Sequence, residues 1–283
     1  MSSVILATGY RAQIGYISET TYGVAPTSST YKWLGAVQSL SVNINRNPYI
    51  IYRLDGVSRF PGYILPGQRE VEVDLVVNPQ DINLLADVIN NPVSTPESFI
   101  VQWNDVNQAV VIYGNRANTV KFVGKTGNAF EVDYTFWAQN LSTSLPSNVA
   151  FPTDPGSTPF YWTLGSVTVS GSTDLNVIGW DCTITQNLQR VFIFGQDFIR
   201  VLPPLNAQVE GTVTVTFQDL SEVTRVLNFS NVPLTFTLGP DSTQTTRSLQ
   251  VSNAKFSQFQ IPAKPSDLVS FDIPFVGNGA WVG

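Results

Sequence analysis

Alternation of apolar and polar side chains is the dominant pattern along this chain, and it predicts β-strands. The clearest example is residues 130–139, where Phe, Val, Tyr, Phe and Ala alternate with Glu, Asp, Thr, Trp and Gln. Side chains two residues apart in a strand point to one face of its sheet, so one face of this strand is apolar and the other largely polar. The same alternation predicts strands at 40–47, 69–76, 180–187 and 209–217.

The predicted strands occur twice along the chain. Residues 130–139 return as 269–278, which places Asp133 over Asp272 at an offset of 139. Three further elements recur in the same order at offsets of 139 to 141: the strands 40–47 and 180–187, the strands 69–76 and 209–217, and the segments that end at Pro92 and Pro233. Each match is weak in identity, but an ordered set at nearly constant spacing indicates an internal duplication.

A short helix is predicted after the second strand of each half. In the first half, Asn78 is suited to the N-cap and Pro79 to the first helical position. The apolar face of this helix would consist of Ile82, Leu85, Ala86 and Ile89. The corresponding helix of the second half would begin at Asp219 or Ser221 and end before Pro233.

Two long segments separate the first two strands of each half. We call residues 48–67 the first arm and residues 188–206 the second arm. Both are too long for hairpin turns, and both are rich in aromatic and aliphatic side chains, which need a surface to bury against. Either each arm folds as a β-hairpin onto its own domain, or it packs on a neighbouring subunit. The residues alone leave both alternatives open.

A Ser-, Pro- and Gly-rich segment near residues 141–159 indicates a linker between the halves. It divides the chain into an N-terminal arm at 1–30, a first domain at 31–145, and a linker with the second domain at 146–283. The predicted fold is mainly β, with two tandem β-sandwich or barrel domains, each carrying a short flanking helix and a long arm.

Composition narrows the range of functions. The 283-residue chain has a net charge of −6, which disfavours nucleic-acid binding through a basic patch. It contains no histidine, the most common general base and a frequent zinc ligand, and its single cysteine, Cys182, excludes an intrachain disulfide. No apolar run approaches the roughly 20 residues of a membrane-spanning helix, and no signal peptide is expected. We therefore expect no enzymatic activity, no cofactor and no metal site.

One stretch is dense in carboxylates. Glu70, Glu72 and Asp74 alternate with Val71, Val73 and Leu75, so the three acidic side chains form a stripe on one face of a strand. A solvated strand face is the favoured interpretation. A divalent-cation site and a glycosidase carboxylate pair are the alternatives, but the second half carries threonines along the corresponding strand, which argues against a metal site common to both halves.

The segment 19–26, Glu-Thr-Thr-Tyr-Gly-Val-Ala-Pro, resembles the start of many tail tube (major tail) proteins of tailed phages and related viruses. The order of elements in each half is also similar to the tail-tube fold: strands, a long arm, a short flanking helix, then closing strands. The resemblance covers most of the chain. It implies a structural protein of the virion tail, whose domains form rings that stack into a tube for delivery of the genome.

The resemblance also implies partners. The chain would form a homo-oligomer, and because most members carry one tube domain and form six-chain rings, two domains favour a trimeric ring with pseudo-sixfold symmetry, with a hexamer as the alternative. The tube would contact tail terminator, tape measure and baseplate or tip proteins. Double-stranded DNA would pass through the lumen without specific binding, and the tube would not insert into a membrane.

Residue roles follow from this implied tube. A basic wall would hold DNA through its phosphates, so we expect acidic and neutral polar side chains to line the lumen. The expected lumen-lining residues are Glu70, Glu72, Asp74, Asn43, Asn45, Thr183, Thr185, Glu210, Thr212, Thr214 and Thr216. The arms are expected to pack between rings through Tyr49, Ile50, Tyr52, Arg53, Phe60, Phe192, Phe194 and Phe198.

A second class of function remains open from the sequence. A two-domain β-sandwich binding module, such as a virion decoration, spike or carbohydrate-binding protein, would share the same strand pattern. Such a module would be a monomer or a small closed oligomer, whereas a tube protein would form annular particles.

Overall fold

Antiparallel β-strands dominate the structure, a computed structural model, as the alternating pattern predicts. The structure describes residues 12–24, 30–52, 61–91, 96–103, 108–144, 149–174, 176–216, 224, 227–241, 243, 245–258 and 270–283. The strands of the first half are β1 (Ala12–Ser18), β2 (Ala36–Arg46), β3 (Tyr49–Ile51), β4 (Tyr63–Leu65), β5 (Arg69–Asn78), β6 (Glu97–Trp103), β7 (Gln108–Lys125), β8 (Glu131–Ala138) and β9 (Asn140–Ser142). Those of the second half are β10 (Ser166–Val169), β11 (Ser172–Asp174), β12 (Val177–Thr185), β13 (Gln208–Thr216), β14 (Val232–Pro240), β15 (Thr246–Phe256), β16 (Ser270–Gly277) and β17 (Gly279–Val282).

Eight strands form a continuous central sheet in the order β2-β5-β8-β7-β12-β13-β16-β15. The first four belong to the first half of the chain and the last four to the second half. The halves meet where β7 pairs with β12, from Thr119–Thr185 to Lys125–Gly179. Within the described part of the chain, β2 pairs only with β5, so its other edge is open.

A second layer covers one face of this sheet. The long strands β7 and β15 run from the central sheet into the covering layer, where β7 pairs with β6 and β9 and β15 pairs with β14 and β17. The face between the layers is apolar and forms one core that extends through both halves, with Phe136 and Phe275 among its fully buried side chains. Of the predicted N-terminal arm, residues 12–18 form β1, which pairs with β6.

The helix of the first half, α1 (Asn83–Asn90), begins later than the sequence pattern predicts. Asn78 is not its N-cap, because this residue ends β5, pairs with Ala36 and donates its side-chain amide to the carbonyl of Phe130. Asp81 accepts the backbone N–H of Asn83 at the start of the helix instead. The predicted apolar face is correct at Leu85 and Ile89, and Ile82 is buried just before the helix. Ala86 is only partly buried, and Leu84 and Val88, which the prediction omits, are buried.

The second predicted helix falls mostly outside the described residues. Thr224 and Leu227 are helical, and the N–H of Asn228 donates to the carbonyl of Thr224. A short 3-10 helix, Trp162–Leu164, precedes β10. Among the described residues, no helix is long and apolar enough to cross a membrane.

The two arms differ in how much of their surface the chain covers. In the first arm, β3 and β4 pair as a separate two-stranded sheet. The large apolar side chains of this hairpin are 45% to 68% exposed: Tyr49, Ile50, Ile51, Tyr52, Tyr63, Ile64 and Leu65. Arg53 and Phe60 lie outside the described residues. In the second arm, by contrast, Leu188, Ile199 and Leu202 are buried against the first half of the chain.

Candidate functional site

The central sheet has one face that the covering layer leaves open, and we call it the polar face. Strand alternation assigns residues to it: along β5, the side chains of Val71, Val73 and Leu75 are buried in the core, while the intervening acidic residues are partly exposed. β12 and β13 alternate in the same sense. The polar face therefore brings together every predicted lumen-lining position: Glu70, Glu72, Asp74, Asn43, Asn45, Thr183, Thr185, Glu210, Thr212, Thr214 and Thr216.

Cross-strand hydrogen bonds tie the polar face together. The carboxylate of Asp74 accepts from the Asn43 side-chain amide at 3.2 Å and from the Thr135 hydroxyl at 3.1 Å, which links three neighbouring strands. In the second half, the Thr214 hydroxyl donates to Asp272 at 2.6 Å. These contacts leave carboxylates and hydroxyls at the surface, so the face is polar with a negative bias.

The sequence assignment missed part of this face. Glu131 and Asp133 on β8, Asp181 on β12 and Asp272 on β16 have the same orientation, and Lys121 on β7 lies among them, directly opposite Asp133. Burial raises the pKa of the Asp181 carboxyl, against the opposing effect of nearby Lys121. The alternation of residues 130–139 could have identified two of these side chains, since it already separates Asp133 and Glu131 from the apolar positions.

Trp137 and Arg190 form the main contact between the polar face and the second arm. The Arg190 guanidinium lies 3.8 Å from the centre of the Trp137 ring. It forms ion pairs with Glu70 at 2.9 Å and with Glu72 at 3.4 Å, and the Trp137 indole N–H donates to Glu72 at 3.0 Å. Two of the three acidic residues in the predicted stripe are thus paired with a cation from the other half of the chain.

Further contacts anchor the second arm across the first half. Asp197 forms ion pairs with Arg46 at 2.7 Å and Arg69 at 3.7 Å, and its carbonyl accepts the backbone N–H of Arg69. Arg116 donates to the carbonyl of Leu202 at 3.3 Å. The second arm therefore covers one end of the polar face and joins the two halves. Of its predicted contact residues, Phe192 packs at this joint, Phe198 is half-buried, and Phe194 is fully exposed.

The segment that carries the sequence resemblance has a structural role beside this joint. Its residue Glu19 is buried, and one carboxylate oxygen accepts from Ser98 Oγ and the Gly114 N–H, both at 2.6 Å. The other oxygen accepts the N–H of Gly23 at 2.8 Å. Gly23 has a φ of +72°, and a Cβ there would lie 1.8 Å from the Gln139 side chain, so the turn requires glycine. Burial raises the pKa of Glu19 against these hydrogen bonds.

The described residues of the polar face form no cluster of carboxylate or thiol side chains for a resident metal ion. Among the described residues, no group of three or more Asp, Glu or Cys side chains is placed to hold one. Cys182 is buried in the core between the two layers, and burial raises the pKa of its thiol to about 12, so it remains a protonated core side chain.

Comparison with known proteins identifies the family. No curated protein sequence matches this chain. A family model described as phage tail tube protein matches residues 9–277, which is nearly the whole chain. The mainly β fold and the predicted resemblance agree with this match. The chain therefore belongs to the phage tail tube protein family and is a structural component of the virion tail that assembles into a tube.

Proposed function

We propose that the protein forms closed rings that stack into a tail tube, and that the tube is the channel through which the phage genome reaches the host. The observation that carries this proposal is the joint between β7 and β12, which fuses two four-stranded sheets edge to edge with their polar faces on the same side. A sheet built by such joints can continue from chain to chain. Closure into a ring would remove the open edge of β2.

A duplicated tube domain is the second part of the proposal, and the strand register supports it. In the first half, Asn43 pairs with Glu72 and Glu72 with Trp137. In the second half, Thr183 pairs with Glu210 and Glu210 with Val276. The paired residues of the two halves therefore correspond one to one, and Glu72 corresponds to Glu210. The sequence comparison of 69–76 with 209–217 aligns these strands slightly differently, because it places Glu70 over Glu210.

Ring size follows from the number of strands. If each half contributes four strands and six halves surround the channel, three chains of eight strands give a 24-stranded barrel. With strands about 4.8 Å apart and tilted by about 40°, the backbone diameter is about 48 Å. Subtracting roughly 10 Å for side chains leaves a bore wider than a DNA duplex. A trimeric, pseudo-hexameric ring is therefore our preferred stoichiometry.

The polar face is the proposed lumen wall. Its carboxylates, amides and hydroxyls include Asp74, Asn43 and Thr214, and they offer phosphates repulsion or weak neutral contacts. A basic wall would release counterions and bind DNA tightly. DNA would thus move along the wall without specific binding. The exposed tip of the second arm, at Ile193 and Phe194, is the proposed contact between stacked rings, and the tube ends would meet terminator, tape measure and baseplate or tip proteins.

Negative-stain electron microscopy of the purified protein tests the proposed assembly. Annular particles that stack into hollow tubes are the expected result. Compact monomers or small closed oligomers at every concentration would support a two-domain binding module instead, and would overturn the proposal that the chain builds rings by itself.

A further inference from the structure

The second arm supplies a template for the contact between neighbouring chains. We propose that the first arm of one chain binds the second half of the polar face of the next chain, as the second arm binds the first half within one chain. This inference rests on the proposed ring, and it names the surfaces that close it. The occupant of the exposed hairpin β3–β4 is therefore a second copy of this chain in the same ring, which replaces the contact between rings that the sequence predicts for Tyr49, Ile50 and Tyr52.

The two arms share a hydrogen-bond register, which makes one a guide to the other. In the first arm Ile51 pairs with Tyr63, and in the second arm Val191 pairs with Val201. The N–H of Gly62 donates to the Ile51 carbonyl at 2.9 Å, just as the N–H of Arg200 donates to the Val191 carbonyl at 2.8 Å. Ile51 therefore corresponds to Val191, and Tyr63 corresponds to Val201.

One matched pair of positions in the two arms, Ile64 and Leu202, differs sharply in exposure. Leu202 of the second arm is 0% exposed because it packs against the first half of the chain. Its counterpart in the first arm is Ile64, which follows Tyr63 as Leu202 follows Val201, and Ile64 is 68% exposed. An aliphatic side chain at this hairpin position is therefore buried in the second arm, which lies on the polar face. The matching side chain is exposed in the first arm, which has no polar face beneath it in the described part of this chain. This difference indicates that Ile64 belongs to an equivalent joint whose other side is a further chain.

The matching acceptor surface is also uncovered. Val276 occupies the position of Trp137 and is 54% exposed, and Lys255 lies opposite Val276 as Arg116 lies opposite Trp137. Both members of this contact differ between the halves. In the second arm, Arg190 lies over Trp137. Its counterpart in the first arm is Ile50, which would lie over Val276. A charged and aromatic pair within the chain would become an aliphatic pair between chains.

The geometry of this contact is head-to-tail. Each chain carries one donor, the first arm, and one acceptor around Val276, and these are different surfaces. A heterologous contact of this kind closes into a ring or continues as a filament. In a closed trimeric ring, three contacts between chains would alternate with the three contacts that the second arms make within chains.

Two complementary variants test the contact. The double variant Ile50→Asp/Ile64→Asp disables the arm and keeps the acceptor, while Val276→Asp disables the acceptor and keeps the arm. Each variant alone should remain a monomer, since a carboxylate at the contact is desolvated without a partner. Mixed at equal concentration, they should form a 1:1 pair of twice the 31.0 kDa chain mass that grows no further, because one intact joint remains. Native mass spectrometry measures this directly.

Controls separate this inference from the proposed function. Leu227→Asp, at an apolar side chain that is 78% exposed elsewhere on the chain, should assemble as the wild type does. Circular dichroism should show that all variants are folded. If the wild type forms rings and both disabled variants still form them, the contact is wrong while the ring proposal stands. If the disabled variants stay monomeric and their mixture does not pair, the assigned surfaces are also wrong. A wild type that never forms rings overturns the proposed function itself.

Discussion

At the scale of single residues, Trp137 links the polar face to the second arm. It donates a hydrogen bond to Glu72, supports the Arg190 guanidinium at 3.8 Å and packs in the apolar cluster of the second arm. Removal of the ring would abolish both the cation–π contact with Arg190 and the packing in this cluster. Each loss would destabilise the fold. This residue therefore holds the second arm on the first half of the chain.

Trp137→Ala should lower the free energy of unfolding by about 2–4 kcal/mol. It should also make the second arm sensitive to trypsin at Arg190 and Arg200, because the arm loses its main anchor. Trp162→Ala, at a ring that is 44% exposed, is the matched control and should change protease sensitivity little. Equal cleavage rates in both variants would show that the arm is held by other contacts.

Glu97 carries a buried carboxyl group that should make the stability of the fold depend on pH. Burial, together with the nearby carboxylates of Asp87 and Glu19, raises its pKa well above the ordinary value, against Arg116 and Lys32. The folded state then binds a proton more tightly than the unfolded state. The contribution of this group to stability is fully present below the ordinary pKa of 4.5 and is lost as the pH rises through the raised value.

Glu97→Gln removes this titration while keeping the shape of the side chain. The melting temperature of the variant minus that of the wild type should increase as the pH rises from 4 to 8, and it should be smallest at pH 4. Thermal melts across this range, with Asp154→Asn as a surface control, measure the effect. A difference that is constant with pH would mean that Glu97 does not titrate differently on folding.

At the scale of elements, close strand pairing in the central sheet depends on a glycine. A Cβ at Gly211 on β13 would lie 2.2 Å from the carbonyl oxygen of Asp181 on the neighbouring strand. The backbone of β12 cannot move away without breaking its register with β13. Gly279 on β17, by contrast, has no atom within 4 Å of such a Cβ.

Gly211→Ala should therefore destabilise the fold by about 1–3 kcal/mol through overpacking. Gly279→Ala should be neutral or slightly stabilising, because alanine restricts the unfolded chain more than glycine does. Urea titration of both variants gives the comparison. Equal midpoints for the two variants would contradict the close approach of β12 and β13.

The arm tips allow a separate test of ring stacking. Phe194, at the tip of the second arm, has a fully exposed ring. Phe194→Asp should leave rings intact and shorten or abolish tubes, since it changes only the surface assigned to the neighbouring ring. Electron microscopy of this variant beside Ile64→Asp separates the two levels of assembly. Normal tubes from Phe194→Asp would show that the tip lies away from the ring interface.

The elements also show what a sequence can predict here. Strands and their faces followed from local alternation, because a period of two fixes which side chains share a face. The start of α1 could not be predicted from local sequence. Asn78 is suited to cap the helix, but its side chain donates a hydrogen bond to the Phe130 carbonyl, and this contact depends on the tertiary fold. The surface that covers Leu202 could not be predicted from the sequence either. The apolar pattern of the arm predicts that it is buried, but it does not identify the surface on which the arm packs.

At the scale of the whole molecule, the proposed ring explains three exposed features of the chain. Within the residues that the structure describes, the central sheet ends in an open edge at β2, and the side chains of Ile64 and Val276 are exposed. Open edges and exposed apolar hairpins favour aggregation unless assembly covers them. The proposed ring closure would cover all three features at once, so we regard the isolated chain as a building block.

A cryo-electron microscopy reconstruction of the assembled tube would show both the number of chains per ring and the side of the wall on which the polar face lies. We expect three chains per ring, a 24-stranded inner barrel, and Asp74 and Asp272 on the wall of the lumen. A ring of six chains, or a tube with these two carboxylates on its outer surface, would contradict the account.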